Sequence, residues 1–310
     1  MLRLPHDRSE KLSSNGRLTN LFTESIDRWL YSMVEDDFGG QGTEKIIEAV
    51  VFSKSSGIFC GELIANRFFN NFFDQIDVIW MVENGEKIYS GDSIVKIIGK
   101  AKDILLLERI LLNIISRLSG IASNTLRWVE AAKPIKIAST RKTNWGLLDK
   151  WAVHIGGGLT HRLSRGDALM IKENDFFSLR SSLESEEENL SNIISSIDME
   201  KFENFVVIEV TDITQGIQVA KSWKLNESNQ NKKITIMVDN IGPTQAKEFC
   251  DFLISENIRN SFIIEGSGGV TLDSLVDWRS SGVDLVSSSS LNLGIVPLDF
   301  SMIFGVGNNG

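Results

Sequence analysis

The spacing of apolar residues changes twice along this chain, and the changes divide it. Residues 18–35 (LTNLFTESIDRWLYSMVE) carry apolar side chains at helical intervals on one face, which predicts an amphipathic helix. Residues 1–17 ahead of them are polar and are expected to fray. Two β-type runs follow, IIEAVVFSKSSGIFCG and IDVIWMVENGEKIYSGDSIVKIIG, with a helix between them. Asn84-Gly85 and Ser90-Gly91-Asp92 mark tight turns in the second run, so these strands predict an antiparallel sheet in an α+β unit. Residues 103–129 (DILLLERILLNIISRLSGIASNTLRWV) then form a long helix, with a break expected near Gly120. It is apolar almost all round and therefore buried, with one polar stripe of Arg109, Asn113 and Arg117.

From residue 134 short apolar strands alternate with helical stretches. The strands are PIKIAS, DALMIK, NFVVIEV, KKITIMV, NSFIIE and GVDLVS. The helix after PIKIAS is expected to run to about 155 and the one after DALMIK to about 198. This repetition implies parallel strands joined by crossovers, in a closed or nearly closed βα barrel, with a doubly wound sheet as the alternative. The boundary falls near residue 130, giving domains 1–130 and 131–310, with the terminal segment packing back on the first.

Composition narrows the function classes. The chain has 310 residues, a net charge of −9, 42% apolar and 24% charged residues, as in a soluble globular protein. No basic stripe would offset nucleic-acid phosphates, so nucleic-acid binding is not expected. Cys60 and Cys250 lie far apart and are expected to be buried, reduced thiols. Three histidines without CxxC or HxxxH spacing argue against structural zinc. Neither a signal peptide nor a bilayer-length apolar run is visible, so no membrane partner and a cytoplasmic location are expected.

The polar residues at the strand ends change the picture most. Arg141 and Lys142 follow PIKIAST, Lys172 ends DALMIK, Glu209 ends NFVVIE, Asp239 ends ITIMVD and Glu265 ends SFIIE. Ser267-Gly268-Gly269 and the run Ser287 to Ser290 lie just beyond two strands. A parallel barrel puts all these ends on one face, where such folds carry their sites. Taken singly, each has an ordinary reading as a solvated loop cation, a salt-bridge partner or a turn. Together they form a cationic mouth, which is costly unless an anion compensates it. The Gly/Ser loop lets backbone N–H groups approach phosphate oxygens. Glu209 and Asp239 suit ribose hydroxyls, or Mg²⁺ held through water. The set fits transfer of a phosphoribosyl group.

At this point the chain resembles a known family. ERILLNIISRLSGIA around Arg109, TRKT at 140–143, GGGLTHRLSRGDALMIKEND at 156–175, IEV at 208–210, IMVDN at 236–240, EGSGG at 265–269 and PLDFS at 297–301 are similar to quinolinate phosphoribosyltransferase. That family is also called nicotinate-nucleotide pyrophosphorylase (carboxylating). The resemblance runs in order over about residues 18–305. It implies an α/β protein with an N-terminal α/β sandwich domain and an open α/β barrel of the type II phosphoribosyltransferase kind. It implies a homodimer sharing its active sites, with a hexamer as the larger assembly, and Arg109 reaching the partner's site. On the same resemblance Arg141, His161, Arg162 and Lys172 hold the carboxylates of quinolinate. Lys142, Glu209, Asp239, Ser267, Gly268 and Ser289 face phosphoribosyl pyrophosphate and its Mg²⁺, with Lys142, Glu209 and Asp239 closest to the chemistry. The sequence departs from the family at Trp145, where proline is usual, and in Ser288-Ser289-Ser290-Leu291-Asn292-Leu293, where V-G-A-L-T-H is common. Two other readings stand beside this one. The chain is a paralogous phosphoribosyltransferase of the molybdate-transport-associated type with another acceptor, or a catalytically reduced anion-binding homologue.

Overall fold

The computed structural model describes residues 4–37, 39–179, 185–197, 199, 205–225 and 232–305. In chain order the elements begin with β1 (Ser13–Ser14), β2 (Arg17–Leu18), α1 (Asn20–Asp36), β3 (Ile46–Ser53), β4 (Gly57–Ile58) and α2 (Glu62–Phe72). Next come β5 (Ile76–Trp80), β6 (Lys87–Ile88), β7 (Ser93–Lys100), α3 (Ala101–Ala132), β8 (Lys136–Ser139), α4 (Leu147–Ile155), β9 (Leu169–Ile171) and α5 (Glu173–Leu179). The rest are α6 (Glu186–Ser196), β10 (Val206–Val210), α7 (Ile213–Leu225), β11 (Ile234–Asp239), α8 (Gly242–Ser255), β12 (Phe262–Ser267), α9 (Leu275–Trp278), β13 (Leu285–Ser288) and β14 (Phe300–Phe304). They fall into two compact units. The described parts of 9–127, 142–158 and 290–310 make one, and those of 1–8, 128–141 and 159–289 the other.

The first unit is built on an antiparallel sheet in the order β14-β3-β7-β5, with β4 and β6 paired separately. Helix α1 starts where the Thr19 hydroxyl accepts the Phe22 N–H (3.3 Å) and buries Phe22, Ile26 and Leu30, one turn apart. Arg67 of α2 meets the Asp27 carboxylate of α1 with two hydrogen bonds of 2.7 Å. Asn84 accepts the Gly61 and Glu62 N–H groups (2.9 and 3.3 Å), capping α2 from the turn after β5. Helix α3 runs unbroken through Gly120, contrary to the expected break. A Cβ there would come 2.6 Å from the Val296 carbonyl oxygen and 2.9 Å from Pro297 Cα. The glycine therefore serves a close backbone approach rather than a kink. Polar α3 side chains do similar work, since Ser119 Oγ accepts the Cys60 N–H (2.9 Å) and Ser123 Oγ the Ile58 N–H (2.7 Å).

The second unit holds a six-stranded parallel sheet in the order β8-β13-β12-β11-β10-β9. Successive strands add in one direction, and the first then docks beside the last. That is a barrel, whereas a doubly wound sheet would reverse direction about its first strand. Strands β8 and β9 do not pair, so the barrel is open along that seam. Leu159 lies against the free edge of β8, with Leu159 N–H on the Ile137 carbonyl (2.8 Å) and Ser139 N–H on the Leu159 carbonyl (2.9 Å). One layer of side chains contains Ala168, Phe205, Val207 and Met237, and another Ala138, Ile263 and Leu285 with Leu4 and Leu159. Strand alternation carries the same face to Glu209, Asp239, Glu265 and Ser267.

Two expectations need correction here. Residues 4–17 are not frayed, because His6, Ser9 and Leu12 are buried and β1 pairs with β2; residues 1–3 lie outside the described residues. The helix read to about 198 is two helices, α5 and α6, and residues 180–184 and 198 lie outside the described residues. Among the described residues no helix is long and apolar enough to cross a membrane.

Replacing Gly120 by Ala should lower stability by about 1–2 kcal/mol, because the backbone clash outweighs the gain of about 1 kcal/mol in helix propensity. Urea unfolding followed by circular dichroism measures it, and an unchanged or raised midpoint would show that the close approach is not tight. Cys60 and Cys250 are free and buried, and burial pushes the Cys250 thiol up to about 11 and the Cys60 thiol higher still. A thiol-reactive chromogen at pH 8 should therefore react with neither in the native protein and with both in denaturant.

Candidate active site

The barrel's strand ends bring together most of the residues singled out from sequence. Lys172, just beyond β9, forms an ion pair with Glu209 near the end of β10, the lysine 41% exposed and the carboxylate 12%. Asp175 caps α5 by accepting the Lys172 N–H (3.0 Å), which fixes the backbone from which that lysine projects. His161 and Arg162 sit in the segment that crosses the open seam from Leu159 to β9, and both are buried. The Arg162 guanidinium donates to the Ala168 carbonyl at 3.2 Å. Burial, then the nearby charges of Arg141 and Arg165, hold Arg162 below the ordinary guanidinium value, while Asp175 and Glu209 act in the opposite sense. Arg141 itself is exposed, just past β8. Arg141, Arg162, Lys172 and Glu209 thus share one electrostatic neighbourhood, with His161 next to Arg162 in the chain.

The phosphate-side expectations map onto the next strands. Asp239 ends β11 and its carboxylate accepts from Asn240 Nδ2 (2.8 Å). Asn240 has φ +60 and donates its N–H to the Ser267 carbonyl (3.0 Å), so the ends of β11 and β12 are tied together. Gly268 has φ +83, and a Cβ there would collide with Asn240, so only glycine fits. Helix α9 begins at Leu275, several residues beyond the glycine turn, and is one turn long. Thr271 and Ser274 fill the gap by bonding each other's backbone N–H (3.0 and 3.2 Å). Ser289 opens a short 3-10 turn and is half-buried, while the Ser288 hydroxyl donates to the Val270 carbonyl (3.0 Å).

Lys142 and Arg109 belong to the other unit, and both side chains are exposed. The loop after Lys142 is fixed within that unit by Asp149, which is fully buried. Asp149 accepts the Asn144 and Trp145 N–H groups (2.9 and 3.3 Å) and two bonds from the Arg117 guanidinium (3.1 and 2.9 Å). Arg117 also stacks on the Trp145 ring, 5.1 Å from its centroid. Asn292, within the variant serine run, donates to the Lys142 carbonyl (2.9 Å) and to Asp149 (3.3 Å). Trp145 and Asn292, two of the sequence departures, are therefore parts of the loop's support.

Sequence reasoning missed one cluster. Glu265 is fully buried inside the barrel, with His161 Nε2 at 3.2 Å and His6 Nε2 at 3.3 Å from the same carboxylate oxygen. Burial alone would raise this carboxyl, but the two imidazoles hold it well below the usual range. Strand alternation signals that Glu265 points inward; nothing local marks His6. Among the described residues this is the one group of three or more metal-type ligand side chains with atoms close together, and it is distinct from Glu209 and Asp239.

The fold and this mouth of cations, acids and a Gly/Ser turn define a phosphoribosyltransferase of the open-barrel kind. The chain belongs to the quinolinate phosphoribosyl transferase family, whose C-terminal domain model matches residues 121–303 and whose N-terminal domain model matches 30–119. It is 33% identical to the chloroplastic nicotinate-nucleotide pyrophosphorylase [carboxylating] of Arabidopsis thaliana, over 83% of this chain and 73% of that one. It is 32% identical to the probable nicotinate-nucleotide pyrophosphorylase [carboxylating] of Archaeoglobus fulgidus, over 83% and 94% respectively. The solved structure of the nicotinate-nucleotide pyrophosphorylase from Francisella tularensis superposes with a TM-score of 0.77 at 25% identity, covering 91% of this chain and 97% of that one.

The Glu265 carboxyl has a depressed folded-state value, so its contribution to stability is complete above the unfolded glutamate value of about 4.3 and is lost as pH falls below it. Replacing Glu265 by Gln should make the acid limb of the stability curve shallower, by up to about 1.4 kcal/mol per pH unit. Urea unfolding at pH 3 to 7 measures this, and parallel limbs for the two proteins would contradict it.

Proposed function

We propose that the protein transfers the phosphoribosyl group of phosphoribosyl pyrophosphate to quinolinate, giving nicotinate mononucleotide, pyrophosphate and CO₂ in de novo NAD synthesis. The observation that carries this reading is the buried Arg162 guanidinium among other cations, an arrangement that a dianionic acceptor would relieve. Arg141 and Arg162 offer planar donor pairs to carboxylates, and His161 and Lys172 complete the acceptor subsite. The pyridine nitrogen attacks C1 of the ribose as pyrophosphate departs, and positive charge grows on the sugar ring. Glu209 and Asp239 lie on the inward face of adjacent strands, suited to stabilising that charge. Lys142 neutralises the leaving pyrophosphate, and Ser267, Gly268 and Ser289 cradle phosphate. Once attached, the cationic ring nitrogen stabilises the electron pair left on C2 when the 2-carboxylate departs as CO₂, and a solvent proton then adds to that carbon. Holding two reactants in register supplies the larger part of the acceleration.

Glu209 and Asp239 also fit Mg²⁺, since they are partly exposed carboxylates with hard oxygen donors, and this ion takes one or two such groups with water and substrate phosphates. When bound, Mg²⁺ supplies charge neutralisation at the pyrophosphate. The working form is a homodimer in which Arg109 of one protomer completes the acceptor site of the other.

Purified protein incubated with quinolinate, phosphoribosyl pyrophosphate and Mg²⁺ should release CO₂ and form nicotinate mononucleotide. Absence of both products would remove the reading in favour of another acceptor or a binding role. Arg141→Ala should raise the KM for quinolinate about tenfold or more while changing that for phosphoribosyl pyrophosphate far less. Equal loss for both substrates would refute the assignment of Arg141.

A further inference from the structure

The segment that crosses the barrel's open seam carries His161 and Arg162, and it is gripped by a distant piece of chain. Arg8 donates its backbone N–H to Thr160 Oγ1 (2.7 Å) and its guanidinium to both oxygens of Asp167 (3.2 to 3.3 Å). The two ends of the seam segment are thereby held by one residue. Asp167 in turn accepts the Leu163 N–H (2.9 Å), which sets the turn just after His161 and Arg162. Leu4 packs against Ala138, Ile263 and Leu285 inside the barrel. Between these anchors His6 is fully buried, its ring 5.3 Å from that of His161 and 4.6 Å from Phe205.

His161 needs such support. It is a non-glycine residue with φ +53, in a region that a bulky side chain enters only when its surroundings impose it. Its Nε2 meets a carboxylate oxygen that His6 Nε2 also meets. A buried carboxylate accepts and does not donate, so each imidazole that bonds it presents an N–H at Nε2. We propose that His6 is a positioning residue for the acceptor site: by sharing Glu265 it holds in place the carboxylate that sets the tautomer and tilt of the His161 imidazole. This rests on the reading of His161 as a quinolinate-binding residue.

The same three side chains could instead ligate a metal ion. Hydrogen bonding is favoured because His6 Nδ1 has no partner among the described residues. A metal-bound imidazole almost always donates its second nitrogen to a carboxylate, carbonyl or water.

Three variants of the full chain test the proposal: His6→Leu, His6→Gln, and Leu4→Ala as a packing control. Long-range ¹H–¹⁵N spectra resolve the nitrogens of the three histidines. In the parent protein His161 Nε2 should carry the proton, and His6→Leu should shift the His161 ring nitrogens. His6→Leu should also raise the KM for quinolinate about tenfold, with kcat and the KM for phosphoribosyl pyrophosphate within about twofold. His6→Gln, which keeps an N–H donor, should recover most of the loss, and Leu4→Ala should leave the His161 resonances in place. Unchanged His161 resonances in His6→Leu would overturn the proposal, as would equal kinetic effects of His6→Leu and Leu4→Ala. So would one equivalent of zinc in the purified parent that is lost in His6→Leu. The spectra need no substrate, so an inactive parent would fail the functional reading while still testing the link from His6 to His161.

Discussion

The pairing of β8 with β13 is the constraint from which the site follows. It sets Ser288 beside Ser139 and makes the first parallel strand the neighbour of the last. All six strands then finish toward one end, and residues separated by more than a hundred positions in the chain become neighbours in one mouth. The same order leaves β8 and β9 unpaired with each other, and His161 and Arg162 lie in the segment that crosses between them. A site built from cations can persist there because acids are interleaved with them. Lys172 has Glu209, Arg162 feels Asp175 and Glu209, and His161 has Glu265.

Buried charge in this protein is concentrated where backbone has to be held in an unusual path. Asp149 gathers two N–H groups of the loop after Lys142, a guanidinium and an amide. Glu265 gathers two imidazoles beside a residue with a left-handed backbone. In each case a carboxylate excluded from water is held by several donors, the condition under which such a group stabilises rather than weakens a fold. Each orients the segment it binds, Asp149 the loop after Lys142 and Glu265 the stretch that carries His161 and Arg162.

What could be read from sequence was what depends on local periodicity. The long helix, the antiparallel strands with turns at Gly85 and Gly91, and the six parallel strands all carry a repeat of their own. The strand ends followed from those, which is why the positions of Arg141, Lys172, Glu209 and Asp239 at strand ends were legible in the sequence. Gly120 misled because a glycine in a helix reads as a break, while its actual role is an approach to residues 296 and 297, far along the chain. His6 escaped for a related reason: in a polar stretch with no repeat, only the tertiary structure shows that it enters the barrel. Trp145 and Asn292 read as departures from a family pattern, and their contacts with Arg117, Lys142 and Asp149 supply the compensation that a linear comparison cannot see.

Because each compact unit is assembled from three stretches of chain, modular dissection has to respect contacts that a single cut severs. A fragment starting near residue 131 would discard Leu4, His6 and Arg8 while retaining β14, whose partner β3 stays behind. Chimeras made with relatives at one crossover would inherit both faults, leaving an unfilled barrel interior and an orphaned edge strand. Swapping the barrel between family members therefore calls for co-transfer of the Leu4–Arg8 stretch with it, and for a second junction ahead of residue 290.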